Sequence, residues 1–286
     1  IAWSAQVRNP VSSTSLPGIK NTVAIGSGKG GVGKSTVAAN LALALAADGA
    51  KVGLLDADIY GPSIPLMLGV ENERPTGEGK TIIPIEAHGI KVMSIGFMLP
   101  KADDPVIWRG PMLANILTQF LRQVAWGDID YLLIDLPPGT GDIPLTLVQS
   151  IPLSGAAIVI TPERVATAIG TKTLRMFQGD RTNVPILGVI ENMSAFECPH
   201  CHETTEIFDG GGGEALATRE DVPFLGRLPL DPRIRRGGDE GLPIVLAEPE
   251  SSLAREFREI ARKLAGRLSI EYFRAEQPLV VGFPVL

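Results

Sequence analysis

The sequence predicts an α/β protein with a doubly wound, mainly parallel sheet that is flanked by helices. Short apolar runs of strand length alternate along the chain with longer runs of helical periodicity. Most of the apolar runs are continuous, which is typical of strands buried on both faces of a parallel sheet. The third observation is a glycine-rich loop between the first strand and the first helix.

The predicted strands follow one another from Asn21 to about residue 230. Their sequences are TVAIGS, KVGLLD, IKVMSI, YLLIDL, AAIVIT, ILGVIEN and FLGRLP. Helices are predicted over GKSTVAANLALALAADG, in which Gly49 is the C-terminal stop, over PMLANILTQFLRQVAW and over VATAIGTKTLRMFQ. A final amphipathic helix is predicted over SSLAREFREIARKLAGRL, and residues 71–90 are expected to form an excursion between strands.

Composition limits the class of protein. The 286 residues are 44% apolar and 20% charged, with a net charge of −6. This acidic balance argues against a nucleic-acid partner held by a broad basic surface. No apolar run reaches the ~18 residues needed to span a bilayer, and the N-terminus has no apolar signal region. We therefore expect a cytoplasmic protein with no nucleic-acid partner and no stable membrane association.

The strongest motif is GSGKGGVGKST at positions 26–36, in which Gly28 to Ser35 match G-x-x-x-x-G-K-[ST]. Glycines let backbone N–H groups turn onto phosphate oxygens, and the N-terminus of the following helix adds a positive field. We expect Lys34 to reach the β- and γ-phosphates of ATP and the Ser35 hydroxyl to bind Mg²⁺. The predicted nucleotide-binding residues of the loop are Gly28, Lys29, Gly30, Gly31, Val32, Gly33, Lys34, Ser35 and Thr36.

Carboxylates follow two other strands, at the edge where ligands bind in open α/β sheets. Asp56 and Asp58 come from LLDADIYGPS, and Asp135 ends the apolar run of YLLIDLPPGTGD. An apolar strand that ends in Asp is a Walker B pattern, so Asp135 is expected to hold Mg²⁺ through water. Asp58 is expected to be functional. For Asp56 the sequence leaves open a function and a structural role as a strand-end carboxylate.

The segment AFECPHCHETTEIF contains Cys198 and Cys201, the only cysteines of the chain. A zinc site that adds His200 and His202 strains the backbone, because known sites separate the ligand pairs by about a dozen residues. A redox disulfide favours a helix after the C-x-x-C, and the following residues are poor helix formers. Two copies meeting on a two-fold axis bring together four thiolates, which suit Zn²⁺ or a [4Fe–4S] cluster.

Lys29 is not needed by an ordinary P-loop, and KGGVGKS closely resembles the deviant Walker A ATPases, which include ParA and MinD. The resemblance implies that Lys29 reaches across a homodimer to the partner's nucleotide and that Asp58 orients the attacking water. It implies that a backbone N–H of Pro137–Gly139 senses the γ-phosphate. It further implies that Asn192 binds adenine, in a pocket completed by Leu228–Pro232.

Segments along most of the chain together resemble the Mrp/ApbC family of iron–sulfur cluster carrier ATPases. They are GKGGVGKST, DADIYGPSIP, VIWRGPM, IDLPPGTGD, ENMSAFECPHC, EIFDGGGGEALA and PFLGRLPLDPRIRRGGDEGLPIV. The resemblance implies a homodimer that bridges a labile [4Fe–4S] cluster through Cys198 and Cys201 of each subunit. It also implies transfer of the cluster to apo iron–sulfur proteins, with slow ATP hydrolysis coupled to transfer. Members often have Gly where this chain has His202.

Three segments are therefore predicted. They are an N-terminal linker over residues 1–20, an ATPase domain over 21–270 with the C-x-x-C near 198–201, and a C-terminal tail over 271–286. The alternative functions are a spatial regulator of the ParA/MinD kind and a non-enzymatic metal scaffold with structural ATP. The regulator requires a membrane-targeting helix or a basic DNA-binding surface, and it does not require the cysteine pair.

Overall fold

The computed structural model describes residues 16–98, 110–198, 200–201, 203–208 and 210–276. Its strands are β1 (Ile19–Gly26), β2 (Val52–Asp56), β3 (Thr76–Glu78), β4 (Thr81–Ile83), β5 (Ile85–Ala87), β6 (Ile90–Ser94), β7 (Ile129–Asp135), β8 (Gly155–Ile160), β9 (Ile186–Asn192), β10 (Phe196–Glu197), β11 (Thr204–Thr205) and β12 (Phe224–Leu228). Its α-helices are α1 (Lys34–Ala47), α2 (Ile64–Met67), α3 (Gly110–Gln123), α4 (Asp142–Ser150), α5 (Arg164–Gln178), α6 (Gly212–Arg219), α7 (Pro232–Asp239), α8 (Ile244–Ala247) and α9 (Ser252–Glu276).

Eight strands form one sheet in the order β12-β9-β8-β1-β7-β2-β6-β5. All neighbours pair in parallel except β5 and β6. The strand order and the contacts between elements, with the right-handed crossovers that parallel strands nearly always have, place α1 and α9 on one face and α3, α4, α5 and α6 on the other. The predicted fold class is confirmed. In the register of β7, Asp135 lies beside Ile25 of β1 and Asp56 of β2, so three strand ends meet at one edge.

The seven predicted strands are present as β1, β2, β6, β7, β8, β9 and β12. The predicted stop at Gly49 is also present, with a φ angle of 93°. The excursion at residues 71–90 contains the hairpin β3–β4 and the antiparallel edge strand β5. These three-residue strands are too short to produce a periodic pattern. The short helices α2, α4, α6, α7 and α8 were not predicted. The helices α2 and α8 have only four residues, and glycine, proline or charged residues interrupt the periodicity of α4, α6 and α7.

The predicted segment boundaries differ from the observed elements at both ends. Leu16 is buried and β1 begins at Ile19, so the fold starts inside the predicted linker. At the other end, α9 continues to Glu276 and includes the first residues of the predicted tail. No proline or glycine interrupts residues 267–276, so nothing stops the helix at 270. Residues 1–15 and 277–286 lie outside the described part of the chain, as does most of VIWRGPM.

The sheet is covered by large apolar side chains from the helices. Phe177 of α5 is fully buried, and its ring lies against the end of β1. A Cβ at Gly26 would lie 3.0 Å from Phe177 Cε2, so the glycine makes room for this ring directly before the P-loop. Packing of α5 therefore helps to fix the strand end from which the nucleotide loop begins.

We expect Phe177→Ala to lower the free energy of unfolding by about 3–5 kcal/mol, because it leaves a cavity beneath the end of β1. Urea denaturation of the two proteins measures the difference. Phe273→Ala is the control, since Phe273 lies half exposed on α9 and its truncation should cost about 0.5 kcal/mol or less. Equal effects of the two substitutions would contradict this assignment of the core.

Candidate nucleotide site and cysteine hairpin

The loop between β1 and α1 has the backbone geometry of a phosphate-binding loop. Gly31 and Gly33 have φ angles of 79° and 81°, which favour glycine. A Cβ at Gly33 would collide with Asn192 Nδ2, and a Cβ at Gly28 would lie 2.5 Å from Ile169 Cγ2. No side chain caps the N-terminus of α1. Its first backbone N–H groups therefore face the loop, where they can bind a phosphate.

Lys34 lies buried at the centre of the site. Its Nζ donates to Asp135 Oδ1 at 2.7 Å and to Asp58 Oδ2 at 3.3 Å. Burial alone would lower the pKa of Lys34, but the charges of Asp135 and Asp58 outweigh it and raise the pKa above its usual value. The lysine therefore remains an ammonium ion. The structure brings together Lys34, Asp58 and Asp135, as the sequence predicted.

Ser35 and Asp135 form the part of the site that fits a magnesium ion. Ser35 Oγ donates to Asp135 Oδ2 at 2.5 Å. Burial raises the pKa of Asp135, and the ammonium of Lys34 and the hydroxyl of Ser35 oppose this rise. Hydroxyl and carboxylate oxygens are ligands that Mg²⁺ prefers. The donor set and its position beside the P-loop fit the predicted metal.

Asp56 is fully buried and shapes the loop that holds Asp58. It accepts hydrogen bonds from the backbone N–H of Asp58 at 3.1 Å, from Ser94 Oγ at 2.9 Å and from the backbone N–H of Ile64 at 3.3 Å. Burial and the charge of Asp135 raise the pKa of Asp56 to about 7. This geometry supports the structural alternative for Asp56. The other carboxylate oxygen of Asp58, Oδ1, accepts a hydrogen bond from the backbone N–H of Tyr60 at 3.2 Å.

The predicted switch II turn is bonded to the P-loop. Gly139 has a φ angle of 100°, and its N–H donates to the carbonyl of Ser27 at 2.9 Å. The backbone N–H of Ala57 in turn donates to the carbonyl of Asp135 at 2.9 Å. The loops after β1, β2 and β7 are thus joined by backbone hydrogen bonds. An N–H of this turn can bind a phosphate only after it leaves its partner within the chain.

Lys29 lies at the start of the P-loop and pairs with Glu163 of the same chain. Burial alone would raise the pKa of Glu163, but hydrogen bonds, chiefly from Lys29, hold it below its usual value. Glu163 occupies the position before α5, after the end of β8. Glu163 lies in the sequence TPER, which contains no motif that indicates a functional residue. The pair of Lys29 and Glu163 was therefore not predicted from the sequence.

Asn192 ends β9 beside the P-loop and is buried. Its Nδ2 donates to the carbonyl of Val32 at 2.8 Å. The backbone N–H of Ser194 donates to the carbonyl of Leu228, and the N–H of Leu230 donates to the carbonyl of Ala195. The structure therefore brings Asn192 next to both the P-loop and the segment that was predicted to complete a base pocket. The amide has a second N–H and a carbonyl oxygen besides the N–H that Val32 accepts, so it can contact a base while it stays bonded to the P-loop.

Cys198 and Cys201 lie at the tip of a small hairpin. Strands β10 and β11 pair in antiparallel fashion, and the N–H of Cys198 donates to the carbonyl of Glu203 at 3.0 Å. Cys201 is exposed and Cys198 is partly buried, and no disulfide joins them. The prediction that no helix follows the C-x-x-C is confirmed. Pro199 and His202 lie outside the described residues.

A sequence profile of the ParA family, described as the NUBPL iron-transfer P-loop NTPase, matches residues 18–265. The chain belongs to this family. An iron–sulfur cluster carrier protein of Aquifex aeolicus is 51% identical over 251 residues, which are 87% of this chain and 68% of the relative. The carrier protein of Escherichia coli (strain K12) is 48% identical over 94% of this chain and 71% of its own length. An iron–sulfur cluster transfer protein NUBPL of Dictyostelium discoideum is 47% identical over 91% of this chain and 80% of its own length.

Solved structures place this member of the family among the ParA/MinD-type NTPases. A nucleotide-binding protein of Archaeoglobus fulgidus in complex with ADP is 41% identical with a TM-score of 0.72, and it covers 84% of this chain and 92% of the solved one. The cell division ATPase MinD of Pyrococcus furiosus is 26% identical with a TM-score of 0.65, over 86% and 98% of the two chains. Within the described residues, no helix is long and apolar enough to span a membrane.

We expect Asp56→Asn to change how the stability of this family member depends on pH. A carboxyl whose pKa is 3.8 in the unfolded chain and about 7 in the folded chain binds more protons when folded. Its contribution to the free energy of unfolding is fully present below about pH 4 and is lost as the pH rises to about 7. The quantity to compare is the unfolding free energy of the parent minus that of Asp56→Asn, measured by urea denaturation. This difference should fall by roughly 2–4 kcal/mol between about pH 4 and about pH 7.

Asp130→Asn provides a control of opposite sign. Burial alone would raise the pKa of Asp130, but hydrogen bonds from Lys20 and from the backbone of Lys51 hold it below its usual value. Its contribution to stability is therefore lost as the pH falls below about 4, and it stays level between about pH 4 and 7. An Asp56→Asn difference that also stays level in this range would show that the carboxyl is not raised.

Proposed function

We propose that this chain is an ATP-hydrolysing carrier that binds a labile [4Fe–4S] cluster between two copies of itself and transfers it to apo iron–sulfur proteins. One observation supports this above the others. The hairpin that holds Cys198 and Cys201 begins four residues after Asn192, and Asn192 is bonded to the P-loop carbonyl of Val32. Relatives named as iron–sulfur cluster carrier or transfer proteins, 47–51% identical over most of the chain, support the same function.

The nucleotide half of the site is suited to bind ATP and to hydrolyse it slowly. Backbone N–H groups of the loop and of the α1 N-terminus bind the phosphates, with Lys34 as the buried cation. Ser35 and Asp135 would hold Mg²⁺, which neutralises charge on the phosphate oxygens when it is bound. Asp58 lies 3.3 Å from Lys34 and accepts a hydrogen bond from the attacking water, which orients the water.

The cysteine half of the site is incomplete in one chain. One hairpin supplies two thiolates, and the described residues hold no group of three or more His, Cys, Asp and Glu side chains that could bind a metal. A second copy supplies the other two, and four thiolates suit a [4Fe–4S] cluster. The exposure of Cys201 leaves the cluster open to a recipient protein, because an exposed thiolate can be replaced by one from outside.

Exposed apolar side chains at the carboxyl edge of the sheet support a homodimer. They occur in the loops that follow strands or at the first residues of helices, on the same edge as the P-loop. They are Tyr60, Met98, Met112, Val165 and Ile207. These five are half of the ten large apolar side chains that are exposed in the described residues, and several exposed apolar side chains on one edge are typical of an interaction surface. Pairing through this edge brings the two hairpins and the two Lys29 side chains toward the partner subunit.

Spatial regulation of the MinD kind is less well supported. Within the described residues, the candidate for its membrane-targeting element is α9, the long amphipathic helix that ends at Glu276. Over most of its length the apolar side chains of α9 are buried against α1, α8 and β12, namely Leu253, Phe257, Ile260, Leu264 and Leu268, while Ile270 and Phe273 near its end are exposed. The apolar face of α9 is therefore used mainly in the core, which is the usual role of an amphipathic helix in a folded domain. We accordingly propose a cytoplasmic protein with no nucleic-acid partner and no stable membrane association.

Anaerobic reconstitution with iron and sulfide is expected to give about one four-iron cluster per dimer, seen as broad visible absorption and as bound iron. Cys198→Ser and Cys201→Ser should each abolish the absorption, because each removes two of the four thiolates of the dimer. His200→Ala is the matched control, since it changes the same hairpin tip without removing a thiolate. Variants of both cysteines that bind as much iron as the parent would exclude the cluster site.

Mixing two inactive variants tests whether Lys29 acts on the partner's nucleotide. Lys29→Ala and Asp58→Asn should each lose most ATPase activity while they retain ATP binding. In a mixed dimer, the subunit with Lys29→Ala retains Asp58 and receives Lys29 from its partner, so one complete site forms. Random mixing should restore roughly a quarter of the parental rate, because half of the dimers are mixed and each has one such site.

The mixing experiment separates action across the dimer from action within one chain. If Lys29 acts only within its own chain, where it now pairs with Glu163, no mixed dimer holds a complete site and the rate stays at the level of the single variants. Size-exclusion chromatography of the mixture with ATP confirms that dimers form. Retained hydrolysis in Asp58→Asn alone would exclude the proposed role of Asp58.

A further inference from the structure

Two adjacent residues at the end of β9 face opposite sides of the sheet. Asn192 donates to the P-loop carbonyl of Val32, on the face that is covered by α1. Glu191 is fully buried, and its side chain lies on the opposite face, where α6 packs against β9. Successive side chains of a strand alternate between faces, so these two contacts are fixed relative to each other by the strand backbone.

The carboxylate of Glu191 binds the glycine-rich segment at the start of α6. Its Oε2 accepts from the N–H of Gly213 at 2.5 Å, and its Oε1 accepts from the N–H of Gly211 at 3.3 Å. Arg227 Nε lies 3.3 Å from Oε1 and supplies the opposite charge that a buried carboxylate needs. The contact is close, because a Cβ at Gly213 would lie 2.7 Å from Glu191 Cβ.

These contacts join the two ends of the segment that contains the cysteines. We call residues 193–210 the cysteine loop. The loop leaves the sheet directly after Asn192, and it rejoins the fold at Gly211, one of the two glycines that Glu191 binds. A Cβ at Gly212 would collide with the carbonyl of Pro162, so this segment also fits closely against the end of β8. Glu191 thus closes the loop at its base.

We propose that Glu191 is a positioning residue for the cysteine pair, because it fixes the base of the cysteine loop beside the strand end that Asn192 joins to the P-loop. The inference rests on the proposed function for its purpose, since it concerns the place where the cluster thiolates are held. A loop anchored at one end only would leave Cys198 and Cys201 free to move relative to the nucleotide. With both ends anchored, the thiolates stay within reach of those of a second copy.

The test compares Glu191→Gln with the control Glu214→Gln. The N–H groups of Gly211 and Gly213 bond to different oxygens of Glu191. A glutamine keeps the shape but replaces one of these oxygens by an NH₂ donor, which faces a glycine N–H without accepting from it. Glu214 pairs with the same Arg227, at 2.6 Å, and lies on α6, but it is exposed and accepts no hydrogen bond from the N–H of Gly211 or Gly213, which bond to Glu191. The control therefore removes a carboxylate from the same neighbourhood without opening the loop.

Hydrogen exchange of the apo protein, followed by mass spectrometry, is the first measurement. In Glu191→Gln, exchange of peptides from residues 193–213 should rise about tenfold or more, since buried N–H groups lose an ionised acceptor. Peptides from α1 and the rest of β9 should stay within about twofold of the parent, and ATP affinity should be unchanged. In Glu214→Gln all of these should match the parent.

The reconstituted protein gives a second readout. Loss of visible absorption to an iron chelator should be about tenfold faster in Glu191→Gln than in the parent and in Glu214→Gln, because the thiolates are less well held. Unchanged exchange in the cysteine loop would overturn the inference. Faster exchange throughout the sheet with weaker ATP binding would also overturn it, since Glu191 would then support the fold in general.

The exchange measurement separates this inference from the proposed function. It needs neither iron nor sulfide, so it decides whether Glu191 fixes the loop even if the parent binds no cluster. Absence of a cluster in the reconstituted parent would exclude the carrier function alone. A normal cluster in both variants, together with loop exchange like that of the parent, would leave the carrier function and exclude the role of Glu191.

Discussion

The nucleotide site depends on one buried ammonium ion. Lys34 lies among the ends of three neighbouring strands, where it balances the carboxylates of Asp58 and Asp135. Buried ions are stable only when they are paired and hydrogen-bonded. The P-loop, the loop after β2 and the turn after β7 therefore need one another. Asp56 accepts no hydrogen bond from Lys34, but it holds the loop after β2 through the N–H groups of Asp58 and Ile64 and links it to Ser94 of β6.

The same dependence means that contacts within the chain fix the shape of the phosphate site. Lys34 is held in place by carboxylates, and the N-terminus of α1 has no side-chain cap. A bound phosphate replaces some of these contacts rather than building a site from a disordered loop. Lys29 differs, because its pair with Glu163 is partly exposed and lies at the rim of the loop. A partly exposed ion pair is weak, so this lysine can change partners at low cost.

Much of the fold and of the nucleotide site could be predicted from the sequence. The buried strands have continuous apolar runs, and the P-loop has a spacing that few other structures share. Asp58 and Asp135 were predicted because parallel strand ends meet at one edge. Glu163 and Glu191 were not predicted, since their partners lie 134 residues away at Lys29 and about twenty residues away in a glycine-rich segment. The short strands β10 and β11 have no periodic pattern, so the hairpin beneath the cysteines appeared only in the structure.

The hydrogen bond from Asn192 to the carbonyl of Val32 has a consequence for the order of events in a transfer cycle. It connects the loop that binds phosphate to the strand end from which the cysteine hairpin departs. Coupling between two binding sites is reciprocal: if nucleotide changes the affinity for a cluster by some factor, the cluster changes the affinity for that nucleotide by the same factor. Empty and loaded carriers would then select different nucleotides from the same pool. The state of the cargo, and not only the supply of ATP, would set which nucleotide this protein holds.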